Sequence, residues 1–199
     1  MLVKEAEIIV GGLSKPGKMP GPAINLPASA CKTGSILTKI EGTPCFGCYA
    51  LKQRYKWPAT VKAMARRLAA LTNPLWVQAM TTLTKRARWF RWHDSGDVQS
   101  HEHMKDILTV AKNSPKTGHW MPTQERQFLP ELAAVPDNMT IRLSSSKING
   151  GPSAAWPWTS SVTTDPEQVT CPASKQGNKC RDCRNCWDRS IAHIVYPKH

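Results

Sequence analysis

The sequence predicts an α/β fold, a partial (βα) barrel of about five to six mostly parallel strands with an irregular cysteine-rich C-terminal cap. Strand-like runs recur with helical patterns between most of them, and this alternation is typical of parallel βα units. No linker divides the chain, so residues 1–199 are expected to form a single iron–sulfur domain, with 14–57 a long functional loop and 165–199 the cap. The strand-like runs begin near residues 88, 117, 139 and 161.

The first half of the chain is predicted to hold one strand and two helices. Residues 1–13 contain the apolar run EIIV ended by two glycines, which predicts a first strand. The Pro-, Gly- and Lys-rich stretch 14–57 follows, and loops of this length are usually functional. A helix is expected to begin at Pro58, a residue suited to a first helical turn, and a second helix after Asn73-Pro74.

The second half alternates between strands and helices. ARWF predicts a strand that runs into the turn HDSGD, and Ser100 is placed to cap the helix after it. GHWMPT, MTIRLSSS and SSVTT predict three further strands, with a short helix after the first of them. The segment IAHIVY is expected to form a last strand or a terminal helix.

Four cysteines near the C-terminus form the pattern C-x8-C-x2-C-x2-C. A spacing of two residues lets a tight turn point two sulfurs at one metal. A single zinc ion usually takes its ligands as two separated pairs, whereas C-x2-C-x2-C with one remote cysteine is closer to a [4Fe–4S] site. An iron–sulfur cluster is therefore the favoured interpretation, zinc is the alternative metal, and disulfides or free thiols are the remaining possibilities. The ligands would be Cys171, Cys180, Cys183 and Cys186.

Cys31, Cys45 and Cys48 form a second pattern, C-x13-C-x2-C. Three thiolates can hold a [4Fe–4S] cluster and leave one iron without a protein ligand, where a substrate or cofactor can coordinate. The chain has 7 cysteines, which divide into this set of three and the C-terminal set of four. The alternative is that Cys31 is a buried free thiol and that Cys45 and Cys48 complete a zinc site.

Polar residues follow three successive predicted strands. Active sites of βα barrels gather at the carboxyl ends of the strands, where the first cysteine loop is also expected to emerge. A pocket is therefore predicted there, although Asp-Ser-Gly-Asp is also ordinary turn and N-cap chemistry. The predicted catalytic residues are Asp97, Glu125 and Asp94, and the predicted cofactor-binding residues are Ser95, Gly96, Thr123 and Ser144.

The chain is strongly basic, with a formal charge of +13 from 27 basic and 14 acidic residues. Nucleic acid is a candidate partner on this ground, although many small basic proteins bind no polyanion. No signal peptide or membrane-spanning run is evident, so a reducing cytoplasm is expected, where clustered cysteines usually bind metal. Nucleotide-binding loops and the serine hydrolase elbow are absent from the sequence, which leaves those activities unsupported.

Several segments resemble the phage "gene product eighty-eight"-like family, from Cys31 to Cys186. They are CFGCYA, RWHDSGDVQS, WMPTQE and the final C-x2-C-x2-C. This resemblance implies a phage or prophage origin and therefore a location in the host cytoplasm. It implies no particular function. More distantly, a three-cysteine loop after a first strand with a cysteine-rich extension is similar to radical S-adenosylmethionine enzymes. Their loop is C-x3-C-x2-C, whereas the first gap here spans thirteen residues.

The expected function is a redox or radical-type enzyme with one or two [4Fe–4S] clusters. S-adenosylmethionine is the candidate cofactor and an electron donor the candidate partner. The competing hypothesis is a non-catalytic, metal-stabilised nucleic-acid-binding protein that uses the same cysteines as a structural site.

Overall fold

A computed structural model describes residues 1–198. Its centre is a curled, half-barrel sheet of five parallel strands whose order in space follows their order in the chain. The predicted partial barrel and the cysteine-rich C-terminal part are confirmed. The strands are β1 Trp89–Arg91, β2 Gly118–Thr123, β3 Met139–Ile148, β4 Thr159–Thr163 and β5 His193–Pro197.

The α-helices lie before β1 and between β1 and β2; short 3₁₀ helices connect the remaining elements. No helix within residues 1–198 is both long enough and apolar enough to cross a membrane. The α-helices are α1 Val3–Val10, α2 Lys32–Leu37, α3 Pro58–Ala70, α4 Trp76–Thr84 and α5 His101–Asn113. The 3₁₀ helices are Ala28–Ala30, Tyr49–Leu51, Gln53–Lys56, Arg126–Phe128, Leu132–Ala134, Pro166–Gln168, Pro172–Gln176 and Asn185–Trp187.

The strand predicted within residues 1–13 is wrong, because this segment forms helix α1. Ala6 and Val10 are fully buried, four residues apart on one helical face, which is the spacing of an amphipathic helix. The Glu5 carboxylate accepts the backbone N–H of Leu2 at 3.0 Å and so caps the first turn. Gly11, with φ 77°, ends the helix in the left-handed conformation that glycine adopts readily.

Residues 22–26 take the place of the missing strand at the edge of the sheet. The backbone of Arg91 donates to Pro22 O at 3.2 Å and accepts from Ile24 N at 3.3 Å, and Leu26 N donates to Ser95 O at 2.9 Å. This extended segment therefore runs parallel to β1. The loop that carries the first three cysteines leaves it at the carboxyl-end edge of the sheet, as expected from the sequence.

The two faces of the sheet have different coverings. Helices α1, α4 and α5 pack on one face, over a core that includes Trp76, Trp92, Met121 and Ile141. The opposite face, which we call the inner face, is covered by the C-terminal cysteine segment. The strand register places on it Arg91, Trp120, Thr140, Arg142, Ser144, Ser160, Ile194 and Tyr196.

Candidate functional site

All seven cysteines are unpaired thiols, so none of them forms a disulfide. They fall into the two predicted groups. In the first, which we call the trio, the charges of Cys45 and Cys48 act on the pKa of Cys31, so the three thiols are neighbours. In the second, the quartet, the charges of Cys171 and Cys180 act in the same way on Cys186. Cys183 likewise acts on the thiols of Cys171 and Cys180.

The trio packs closely around Gly34. Cys31 directly precedes α2, and Cys48 N donates to Cys45 O at 3.0 Å in a tight turn. A Cβ placed on Gly34 would lie 3.5 Å from Cys31 Sγ and 3.9 Å from Cys45 Sγ. Burial, together with the neighbouring negative charges, raises the pKa of Cys31 and raises that of Cys45 to about 11. A bound cation would relieve this accumulation of negative charge.

Glu125 fixes the first turn of α2 to the end of β2. Its Oε1 accepts the backbone N–H of Thr33 at 2.9 Å, and its Oε2 accepts the Thr33 hydroxyl at 2.8 Å. Gln127 Nε2 also donates to Oε2, at 2.7 Å. The Glu125 side chain is fully buried. This predicted catalytic residue is therefore engaged in holding the segment that follows Cys31.

Asp94 anchors the other end of the trio loop. The hydroxyl of Tyr49, the residue after Cys48, donates to Asp94 O at 2.8 Å. The Asp94 carboxylate accepts from Ser14 Oγ at 2.6 Å and from the Tyr55 hydroxyl at 3.3 Å. This predicted catalytic residue is buried, and its contacts tie the loop to the end of β1.

Asp97 is a buried carboxylate whose charge, like that of Glu125, reaches the thiols of the trio. Its Oδ1 accepts from Thr123 Oγ1 at 2.7 Å, and its Oδ2 accepts from Gln124 N at 2.8 Å. Burial raises its pKa to about 7 despite these hydrogen bonds. Its charge contributes to the raised pKa of Cys31 and Cys45, which places it beside the trio.

The residues predicted to bind a cofactor make contacts within the scaffold. Ser95 Oγ donates to Leu26 O at 3.0 Å. Gly96 has φ 76°, and a Cβ there would lie 2.6 Å from Leu26 Cβ, so the close approach that needs glycine is to the edge segment. Thr123 bridges Asp97 and the backbone of Glu125, whereas Ser144 Oγ lies 3.2 Å from Ser160 Oγ on β4.

Arg142, in the middle of β3, holds the segment that contains Cys186. Its guanidinium is fully buried and donates only to backbone carbonyl groups of that segment. This role was not predicted from the sequence, where the signal is an isolated cation within the apolar strand run MTIRL. The acceptors are the oxygens of Cys186 at 3.0 Å, Ile191 at 2.9 Å, Asn185 at 2.8 Å and Asp188 at 2.8 Å.

The other quartet residues are held by backbone contacts from distant parts of the chain. Cys180 N donates to Lys18 O at 2.9 Å, and Cys171 N donates to Val195 O on β5 at 3.1 Å. Cys186 Sγ lies 3.2 Å from the Tyr196 hydroxyl, and burial raises the pKa of Cys186 to about 12. The quartet thus lies between the inner face and the N-terminal segment.

His101 and His103, which look like a metal pair in the sequence, point in different directions as expected for residues two apart on a helix. His101 is exposed. From the sequence both histidines are predicted to be solvated residues of the first helical turn. The prediction is wrong for His103, which is buried and whose Nδ1 accepts from Gln99 N at 3.2 Å.

The side chains of both groups are thiols, which are ligands of iron–sulfur clusters and of structural zinc sites alike. Within residues 1–198 no three histidine, cysteine, aspartate or glutamate side chains are arranged to share one metal ion. A tetrahedral zinc site with Zn–S bonds near 2.3 Å would bring its sulfurs to about 3.8 Å from one another. A four-iron cluster is wider than a zinc site and takes thiolate ligands, so the thiol-only groups suit it in their donor chemistry.

Comparison with known proteins gives one match. No curated protein and no solved structure matches the chain. The sequence profile of Gene product 88 matches residues 4–189, which is most of the chain and agrees with the resemblance found in its cysteine and SGD motifs. The protein therefore belongs to the Gene product 88 family.

Proposed function

We propose that the protein is an iron–sulfur enzyme of the redox or radical type. The trio holds a [4Fe–4S] cluster with one open iron, and the quartet holds a second cluster that is structural or relays electrons. One observation carries this proposal: the trio loop is attached to the carboxyl ends of β1 and β2, by Asp94 with Tyr49 and by Glu125 with Thr33. Ligands of open α/β sheets bind at this edge.

A bound cluster would supply electron transfer and a coordination position for a substrate or for S-adenosylmethionine. The chain supplies the positioning. Asp94 and Glu125 hold the loop, and Asp97, with a pKa raised by burial to about 7, can gain or lose a proton near neutral pH. Oδ2 of Asp97 accepts one hydrogen bond, from Gln124 N, and can accept another from a ligand ammonium or hydroxyl group.

The proposed setting is the reducing cytoplasm of a phage host, with an external electron donor as partner. Because the other predicted cofactor residues are bonded within the scaffold, a cofactor would be recognised mainly by Asp97 and by the cluster. Ser95, Gly96 and Thr123 then act indirectly, by fixing the loop that carries Asp97.

The test is anaerobic purification followed by iron and sulfide analysis and electron paramagnetic resonance. The expected result is a brown protein with up to two clusters, one of which changes its spectrum when S-adenosylmethionine or another ligand is added. Cys48→Ala should remove the ligand-sensitive signal and keep the other, and Cys183→Ala should do the reverse. A colourless protein with stoichiometric zinc would refute the proposal.

A second candidate, nucleic-acid binding, is favoured by the surface of the trio loop. Phe46 is 50% exposed and Trp57 59% exposed, and Arg54 Cζ lies 5.7 Å from the Trp57 ring centroid. Exposed aromatic side chains among basic residues are the features that bind single strands. Fluorescence anisotropy with a single-stranded oligonucleotide, at several salt concentrations, distinguishes the two. Salt-sensitive binding that Trp57→Ala weakens, in a protein without a redox-active cluster, would favour the second candidate.

A further inference from the structure

Arg91 is the residue of the inner face that stands between the two cysteine groups. It ends β1 and pairs in register with Trp120 on β2. Its guanidinium carbon lies 4.7 Å from the Trp120 ring centroid, in a cation–π contact that orients the planar group. The residue keeps partial solvent exposure, so a small molecule can reach it.

The neighbours of Arg91 come from both cysteine groups. Tyr49, next to Cys48 of the trio, hydrogen-bonds to the guanidinium. Burial acts to lower the pKa of Arg91, but the charges of Tyr49, Asp94, Tyr196 and Cys186 raise it above its ordinary value. The guanidinium therefore lies where a molecule between the trio and the quartet would meet it.

Arg91 forms no ion pair with a carboxylate of the described chain. Among residues 1–198 the single ion pair joins Arg189 and Asp137, so no carboxylate oxygen lies within 4.0 Å of Arg91. Arg91 Nε is buried and has no hydrogen-bond partner. The buried Arg142 differs, because carbonyl oxygens accept from each of its nitrogen atoms. Arg91 therefore keeps its charge without an ion-pair partner in the part of the chain that the structure describes, and an anionic group of a ligand could supply one.

We propose that Arg91 anchors an anionic group, a carboxylate or a phosphate, of the small molecule on which the protein acts. The planar guanidinium can offer two parallel N–H donors to either group from its two terminal nitrogens. The role in a reaction rests on the proposed function, whereas the binding of the anion does not. A substrate held here would lie between the two candidate clusters.

The test uses the protein with its metal content as purified, titrated calorimetrically with pyrophosphate in one series and with citrate in another. Stronger binding of one of them identifies the class of the anionic group. Arg91→Gln should weaken that binding at least tenfold. Arg88→Gln is the matched control, because Arg88 also lies 5.7 Å from a tryptophan ring, that of Trp89, but is exposed. It should leave the affinity unchanged.

A second measurement covers the case in which Arg91→Gln fails to fold. The Nε–H resonance of Arg91, assigned by its absence in Arg91→Lys, should shift in the intact protein as the anion is added. Equal affinities for the anion in the Arg91 and Arg88 variants, or no shift of this resonance, would overturn the inference.

A third outcome separates the inference from the proposed function. If Arg91→Gln changes only the reduction potential of the quartet and not the anion affinity, Arg91 is a counterion of that site and the inference fails alone. Conversely, Arg91-dependent anion binding by a protein that takes up no iron would refute the proposed function and leave the inference standing.

Discussion

Glu125 and Thr33 lie 92 positions apart in the sequence, yet the carboxylate of one accepts both the backbone N–H and the hydroxyl of the other, at 2.9 and 2.8 Å. The contact fixes the segment after Cys31 to the end of β2. Arg142 does the same for Cys186 from the middle of β3. Each cysteine group is thus held in part by a buried ionisable side chain in the sheet or at the end of one of its strands.

Glu125→Gln should loosen the trio without affecting the quartet. The amide nitrogen would face the donors of Thr33 or Gln127, so a buried hydrogen bond is lost at a cost of about 1–3 kcal/mol. We expect a lower free energy of unfolding and loss of the metal bound by the trio, measured by guanidinium titration and metal analysis. Glu131→Gln is the control, because Glu131 is exposed and its substitution should change neither quantity.

Gly34→Ala should displace the side chain of Cys31. The added Cβ would lie 2.9 Å from Cys31 Cβ, closer than real contacts allow, so Cys31 must move. The substitution also stabilises the helix by up to about 1 kcal/mol of intrinsic propensity, so the fold should be retained. We therefore expect weaker metal binding by a folded protein. Gly151→Ala is the control, since its Cβ would meet nothing within 4 Å. Equal metal content in the two variants would contradict this account of the trio.

Arg142→Met should detach the C-terminal cap. It leaves buried carbonyl oxygens of the Cys186 segment without donors, and losses at such sites reach about 3–5 kcal/mol. The expected result is faster proteolysis between residues 165 and 192, measured by mass spectrometry. Loss of the metal proposed for the quartet is also expected, measured by metal analysis. The exposed Arg86 provides the control variant, Arg86→Met, which should be cleaved no faster than the parent protein.

Acidification should destabilise the helix-side core through His119. Its Nδ1 accepts from Trp92 Nε1 at 3.2 Å, and burial lowers the pKa of His119 from 6.5 to about 4. The folded state therefore favours the neutral ring, and this contribution is complete above pH 6.5 and is lost as the pH falls toward 4. The loss is at most about 3 kcal/mol for this residue.

The measurement is the free energy of unfolding between pH 4 and pH 7 for the parent protein and for His119→Gln. The free energy of unfolding should change less steeply with pH in the variant. His103, whose pKa burial lowers to about 4, adds to the slope. Asp97 opposes it, because its raised pKa of about 7 favours the folded state at lower pH. A variant slope equal to that of the parent would show that His119 does not titrate in this way.

Periodicity made the strands and most helices predictable. β2, β3 and α5 have apolar residues at the spacing of their structures, and Ser100 caps α5 as expected, accepting from His103 N at 3.1 Å. α1 was missed because EIIV is too short to separate a strand from a helix. Its glycines then suggested the end of a strand, although Gly11 ends a helix.

The cysteine groups could be recognised from spacing, but their supports could not. Spacing says which thiols can meet, whereas the contacts of Glu125 and Arg91 depend on how distant segments pack. Residues placed at strand ends for chemistry, such as Asp94 and Ser95, proved to hold the loop and the edge segment. A strand-end position alone does not separate a residue that meets a ligand from one that positions it.

The quartet lies in the connection between the last two strands, since Cys171 to Cys186 come between β4 and β5 in the chain. Cys171 is also bonded to β5 through Val195. Oxidation of these thiols would therefore loosen β5 and uncover the edge of β4, whose unpaired backbone groups could then join another molecule. If the quartet binds a cluster as proposed, exposure to oxygen should both release that metal and promote aggregation.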